Sequence, residues 1–376
     1  MQKFIKLDLL IFILSLSLLI LFSLILGDWN FSVFCNFGDK TDISKFPMKI
    51  IIFKDTLGYD GQYFCRMSID PFDILKKSIG VEFESHSYRY SRIIYPLIAW
   101  LFSLNIPWIA ILNLLLINII SIFLIYHFGK KYFKFNFLIL FLPFIPFVIS
   151  RNTAEILSII FVLCSIINFK KKNIFCFSLF SILAILTRET SLIFYLISSL
   201  FYLFKNRLSF SINNLIIITP LIIFILWRVL LNLLFGEIPE NIGIKVNFDF
   251  SGLSLFKSYI STLYRISEIK YFYHLIQLTF IFYFIIFVST KIKFKNLDHV
   301  DISFFIYSLG YLLMAQHIFN SDFAFFRVFP EVFLLGFIIL YKNDTLVSKY
   351  ISYPIIIMFV LNVLRICYNH YTHLFL

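Results

Sequence analysis

The sequence predicts an all-α, polytopic membrane protein with about eleven transmembrane helices and a large first extracytoplasmic loop carrying interfacial helices. Three observations predict it. Hydrophobic residues fill 60% of the 376 positions and charged residues only 14%, far from the balance of a water-soluble domain. Apolar runs of spanning length recur along the chain. Lysines cluster at the ends of those runs, as the positive-inside rule expects, and this accounts for the net charge of +12 without a nucleic-acid partner. The 51 phenylalanines look partly like a coding bias, so no single Phe carries functional weight.

Residues 8–26 follow Lys3 and Lys6 without an A-x-A cleavage site and read as a retained anchor, N-terminus cytoplasmic. Residues 28–106 are the only large hydrophilic region. Within it, 44–57 and 71–83 mix Lys, Asp and Glu with apolar residues, as helices lying in the interface plane do. Residues 93–104 are apolar but short and predict an interfacial or partly inserted helix. The remaining bundle, 107–376, completes a single transmembrane domain, 1–376.

After the run 107–127, basic clusters stand at Lys130-Lys131 with Lys134, at Lys170-Lys171-Lys172, and at Lys205 with Arg207. If all three are cytoplasmic, each intervening stretch must leave and return. The predicted hairpin midpoints are Ser150–Glu155 and Thr187–Thr190, and each leg is only about 21–22 Å long as a helix. Such tips stop within the outer leaflet, where a charge costs roughly 2.5–3.5 kcal/mol unless it meets water or a partner. A polar cavity lined by Arg151, Glu155, Arg188 and Glu189 is therefore expected. The runs 212–235, 272–290, 302–318, 328–341 and 350–367 complete the count, with 236–271 external and the C-terminus outside.

The residues suited to chemistry begin at Gly58-Tyr59-Asp60-Gly61-Gln62-Tyr63. Two glycines permit a tight turn and close approach by a ligand, and would hold Asp60 with little side-chain cover. An Asx-turn is the plainer reading of that aspartate. Arg89 and Arg92, three apart, would share a helix face and make a guanidinium pair suited to phosphate; binding lipid headgroups is the bland alternative. Arg327, flanked by Asp322 and Pro330-Glu331, and Arg228 within 212–235 are further candidates, since an intramembrane Arg implies a carboxylate or phosphate partner. Cys35 and Cys65 could both lie outside, but the sequence favours leaving them unpaired. The seven histidines show no metal-ligand spacing.

The stretch Tyr59–Tyr63 with Asp70-Pro71, then Arg89–Pro96, then Leu186–Thr190, resembles bacterial polytopic proteins of the GT-C glycosyltransferase superfamily. That resemblance is specific over 58–96 and weak after 210. It implies a plasma (inner) membrane enzyme that transfers a sugar from a polyprenyl-phosphate donor, usually with inversion. The acceptor would be a glycolipid, cell-surface polysaccharide or protein of the cell envelope. Asp60 matches the family's acidic residue in the first outer loop, and Glu155 lies where many relatives carry a second acid, although the local Arg-Asn-Thr-Ala-Glu departs from their pattern. Asp60 and Glu155 are thus the expected catalytic residues. Tyr59, Gln62, Arg89, Arg92, Arg188, Glu189 and Arg327 are the expected substrate-binding ones. No cofactor is expected; a divalent metal bridging Asp60 and Glu155 to phosphate is allowed but not favoured.

Location supports the same reading, because nucleotide-activated sugars stay in the cytoplasm and no P-loop or dinucleotide fingerprint is present. Competing classes are a transporter or flippase of a lipid-linked saccharide, a polysaccharide polymerase or ligase, and a non-catalytic assembly partner. Broken-helix pairs in repeated halves, which would favour transport, are not evident.

Overall fold

Among the described residues, five helices are long and apolar enough to cross a membrane: Leu7–Leu26, Pro107–Phe133, Ile212–Phe235, Ile269–Ser289 and Tyr350–Phe375. The computed structural model describes residues 2–205, 212–237, 247–251, 253–321, 324–342 and 349–375, and is predominantly helical. Asp322 and Arg207 lie outside the described residues.

In chain order the helices are α1 (Gln2–Leu26), α2 (Asp60–Ile69), α3 (His86–Tyr90), α4 (Ile94–Leu101), α5 (Pro107–Phe133), α6 (Ile145–Arg151), α7 (Glu155–Lys170) and α8 (Ile174–Thr187). They continue as α9 (Ser191–Lys205), α10 (Ile212–Phe235), α11 (Leu253–Tyr264), α12 (Ile269–Ser289), α13 (His299–Leu312), α14 (Gln316–Phe319), α15 (Glu331–Lys342) and α16 (Lys349–Phe375). The long apolar helices need no amphipathic stripe, because an all-round apolar surface is what hydrocarbon selects.

Side-chain contacts fix which helix ends share a side. Ser23 of α1 hydrogen-bonds His370 of α16 at 2.9 Å, and Arg151 at the end of α6 donates to Asn369 at 3.4 Å. The segment 28–106 lies at this end, where Lys54 N–H donates to the carbonyl of His373. At the opposite end Lys171 donates to Tyr132 at 3.0 Å, joining α5 to the α7–α8 turn. Lys342 pairs there with Asp298 and Asp301 at 2.9 and 3.1 Å, tying the end of α15 to the start of α13. A capping box between Asp298 and Asp301 starts α13. The lysines of the 130–134 and 170–172 clusters stand at this end, with Lys342 near Lys170. The core is centred on α6, α7 and α15; from Glu331 to Leu340 every residue of α15 is buried.

Several local expectations are corrected. Residues 44–57 and 71–83 are not helices. The first holds only a short 3-10 turn, Ile43–Lys45, and a strand β2 (Ile52–Phe53) lying parallel to β1 (Phe37–Gly38). The second holds a small antiparallel hairpin of β3 (Lys77–Ser78) and β4 (Val81–Glu82). Arg66 explains it: its guanidinium, 1% exposed, donates to the carbonyls of Leu75, Lys76 and Val81, so the backbone groups a helix would use internally are taken.

The first leg of the first hairpin is not a continuous helix either. A 3-10 segment, Phe137–Phe141, gives way at Leu142–Phe144 to the short α6. Pro143 and Pro146 lack the N–H groups a helix there would need, and the irregular backbone is surrounded by protein on all sides. The run 302–318 is likewise interrupted. α13 stops at Leu312, where an isolated bridge pairs Met314 with Phe248: Ala315 N–H donates to the Asn247 carbonyl and Asp249 N–H to the Leu313 carbonyl. Finally, Cys35 and Cys65 are disulfide-bonded, with Cα atoms 6.1 Å apart, against the expectation of free thiols.

Candidate functional site

Asp60 is the first residue of α2, where a carboxylate complements the positive end of the helix. Gly58 precedes it at φ +77°, a left-handed turn that a side chain would strain. Gly61 is required for a different reason from the one its sequence implies: a Cβ there would meet the Arg151 carbonyl oxygen at 2.1 Å. The close approach is by the chain's own backbone, not by a ligand. It presses the start of α2 against the end of α6, and the Cys35–Cys65 bond anchors the same helix to the turn after α1.

Pressed there, Asp60 meets three guanidinium groups. Arg89 Nη1 lies 2.6 Å from Oδ1, while Arg327 Nη2 and Arg92 Nη1 lie 3.4 and 3.7 Å from Oδ2. Arg92 also grips Glu189 with two bonds of 2.9 and 2.6 Å, and its guanidinium is bonded by Tyr88. Arg327 donates twice to Glu155 Oε1, at 3.0 and 2.6 Å, and Arg188 Nη1 approaches the same oxygen at 3.3 Å. Arg327 is thus the group that joins Asp60 to Glu155. The turns Asn152–Ala154 and Arg188–Thr190, separated by a whole helical pair in sequence, both end at this cluster.

These side chains line a cavity of about 590 Å³. One wall is ionic: Asp60, Arg89, Arg92, Glu155, Arg188, Glu189 and Arg327, with Tyr59 and Arg228 beside them. The rest of the lining includes the apolar side chains of Leu192, Phe224, Phe248, Met314, Ile318 and Phe329. Five arginines meet four carboxylates, counting Glu84 at the rim, so the cavity carries a positive excess. Asp60 is 25% exposed and reachable from it.

Two expected members stand elsewhere. Gln62 points away from the cavity, donating to the Leu57 carbonyl at 3.1 Å and accepting from Thr41 at 3.4 Å. Arg151 sits behind Tyr59, stacking 4.7 Å from one ring centroid that Arg327 also approaches at 4.7 Å. Arg89 and Arg92 do converge, but each is held by a carboxylate, so they are not an open pair. Tyr88, Glu84 and the apolar lining escaped sequence reasoning. Tyr88 alone had a signal, its place beside Arg89. Glu331 escaped as a partner: buried, it accepts from Thr190 at 2.8 Å and Ser191 at 3.3 Å and steadies the Arg188–Glu189 turn.

Burial alone would raise the Asp60 carboxyl, but Arg89, Arg327 and Arg92 outweigh it and hold the group well below the usual carboxylate range. It is ionised at neutral pH and, in this ion-paired state, a weak base. Among the described residues no three His, Cys, Asp or Glu side chains gather as metal ligands would, and Asp60 and Glu155 are bridged by a guanidinium. Compared with known proteins, the chain matches no protein-family model, no curated protein and no solved structure.

Proposed function

We propose that this protein is a membrane glycosyltransferase that moves a sugar from a polyprenyl-phosphate donor to an extracytoplasmic acceptor, with inversion. The observation that carries the reading is the convergence of Arg89, Arg92 and Arg327 on one reachable aspartate, in a cavity that apolar side chains also line. The ionic side chains suit a phosphate and sugar; the apolar ones suit the first units of a lipid chain. A reading with about eleven crossings, N-terminus in the cytoplasm and the cavity at the outer face of the plasma membrane, fits the gathering of lysines at the opposite end.

In the proposed reaction the acceptor oxygen bonds to the anomeric carbon as the bond from that carbon to the phosphate oxygen breaks. Polyprenyl phosphate departs with the electron pair, and the acceptor proton passes to Asp60. The transition state has oxocarbenium character, and negative charge growing on the phosphate meets the arginines. Donor binding also prepares the base. A phosphate that draws Arg89, Arg92 and Arg327 away from Asp60 removes the charges that suppress its proton affinity. Glu155 holds Arg188 and tethers Arg327 beside the cavity while Arg327 turns from Asp60 to the phosphate.

The test is sugar transfer by the full-length protein in lipid nanodiscs, with a panel of polyprenyl-phosphate sugars and membrane glycan acceptors. Asp60→Asn is expected to lower transfer by about 10²–10⁴-fold while farnesyl phosphate still binds. Turnover equal to wild type removes Asp60 as the base. Movement of an intact lipid-linked saccharide across the bilayer, with no new glycosidic bond, replaces the enzyme reading with a transporter.

A further inference from the structure

The loop 71–77 turns its apolar side chains outward and its polar backbone inward. Phe72, Ile74 and Leu75 are 69%, 50% and 63% exposed, and Lys76 and Lys77 follow them on the surface. Behind these side chains the backbone is satisfied by the protein itself. Arg66 donates to the carbonyls of Leu75, Lys76 and Val81, and Tyr90 to that of Asp73. His86 Nε2 lies 2.7 Å from the Leu75 carbonyl oxygen as well. The Phe72 and Leu75 N–H groups donate to the carboxylates of Asp70 and Asp73 at 3.0 and 3.1 Å, and Asp73 also pairs with Arg66 at 3.6 Å. Irregular backbone approaches an apolar medium only where protein groups satisfy it. This loop meets that condition.

Its height along the bundle follows from α5. Phe72 packs edge-on against Trp100 of α4, with ring centroids 5.3 Å apart. α4 lies alongside the start of α5, where Asn113 donates to the Ala99 carbonyl at 3.0 Å and Tyr95 to the Leu114 carbonyl at 2.8 Å. Asn113 stands about 26 Å along α5 from Lys130, in the last turn, against about 30 Å of hydrocarbon in a bilayer. Trp100 and Phe72 therefore lie at the margin of the hydrocarbon farthest from the lysines. The apolar surface is continuous there. From Phe72 and Trp100 it passes through the exposed Leu101, Phe102 and Trp108 onto α5, itself long and apolar enough to span.

We propose that residues 71–77 form a membrane-inserting finger, in which Phe72, Ile74 and Leu75 enter the acyl chains of the adjoining leaflet and Lys76 and Lys77 reach its headgroup phosphates. Apolar tips followed by lysines suit that boundary, where the apolar bodies leave water and the amines stay in it. The partner is the bilayer and not another protein, because the surface continues a spanning helix and its cations match lipid phosphate. The consequence falls on α2, which starts at Asp60 in the cavity and ends at Ile69, just before the loop. The finger holds the far end of the helix that carries Asp60 at a fixed depth. This inference rests on the span of α5 and not on the reaction proposed above.

Leu75→Cys tests it, labelled with nitrobenzoxadiazole on full-length protein in phosphatidylcholine nanodiscs. The background carries Cys164→Ala, Cys176→Ala and Cys367→Ala, which removes the free thiols. Ile74→Cys is a second label site, and an unchanged melting midpoint shows that each labelled protein has folded. Emission is expected to be lost to lipids carrying a nitroxide near the headgroup, less to lipids carrying it at the chain midpoint, and least to iodide in the water. Quenching by iodide with no loss to either lipid places the loop in water and overturns the proposal. Strongest loss to the midpoint nitroxide puts it deeper than a finger at the boundary and overturns it too. Lys76→Ser with Lys77→Ser should weaken the headgroup-level quenching in phosphatidylglycerol nanodiscs; equal quenching would overturn the part given to the lysines.

Discussion

In the proposed reaction Asp60, an acid held by three guanidinium groups, serves as a base only under a condition. Alone it is ionised and satisfied; in the proposed reaction a phosphate competing for Arg89, Arg92 and Arg327 makes it the stronger proton acceptor. The pH dependence follows from that sign. Because the arginines hold its carboxyl below the ordinary value of 3.8, the kcat/KM profile of the wild type should show no acid limb from Asp60 between about pH 5 and 8. Arg89→Met removes the closest cation, so an acid limb should rise toward the ordinary carboxylate range; a profile unmoved by that change would separate Asp60 from the reaction. Glu155 makes a different prediction. It is 3% exposed and pairs with both Arg327 and Arg188, so Glu155→Ala takes the paired carboxylate from buried Arg188 and leaves Arg327 to Asp60. The expected loss is about 3–5 kcal/mol, read as a lower unfolding midpoint in detergent, with Glu155→Gln falling in between.

At the scale of the element, α2 is a short helix whose placement is overdetermined. Gly61→Ala would force its start away from α6, since the added methyl would overlap the Arg151 carbonyl. A loss of about 1–3 kcal/mol is expected from such overpacking, together with lower transfer as Asp60 leaves Arg327; a variant as stable as wild type would show that the contact is slack. The disulfide holds the same helix across a separation of 30 residues. Replacing both Cys35 and Cys65 with Ser should cost about 3–4 kcal/mol by loop entropy, measurable as a shifted melting curve. Elements also mark where the sequence was opaque. The turns at Asn152–Ala154 and Arg188–Thr190 were legible, because charges between apolar legs and lysines beyond them leave few alternatives. The β3–β4 hairpin was not. Its mixed polar pattern suits an interfacial helix equally well, and the deciding contact is a single buried Arg66 from elsewhere in the chain.

Across the whole molecule, the arrangement collects groups separated by as many as 267 residues, Asp60 and Arg327, at one end of a helical bundle. In the proposed topology that end is extracytoplasmic. Thr190→Cys, on the cavity wall, should then react with an impermeant maleimide added to intact cells. Labelling that appears only after lysis would reverse the topology and remove the lipid-linked donor with it. The interruption of the 302–318 run at Leu313–Ala315 belongs to this scale too. The apolar run continues through it, and the break coincides with pairing to the segment at Asn247–Asp249, which no local pattern announces.

The sequence by itself determined the helical, lipid-compatible class, the long apolar helices, the turning points between charge clusters and the acid between two glycines. These are local or periodic signals, written by the need to satisfy backbone groups inside each segment and to keep lysines at segment ends. Only the tertiary structure decided which arginine faces which carboxylate, that Gln62 and Arg151 turn away from the cavity, that Cys35 meets Cys65, and that apolar side chains line the same cavity as Asp60. Those outcomes depend on how distant helices pack, and at each such position a cation, a thiol or a phenyl ring reads the same along the chain wherever its partner lies.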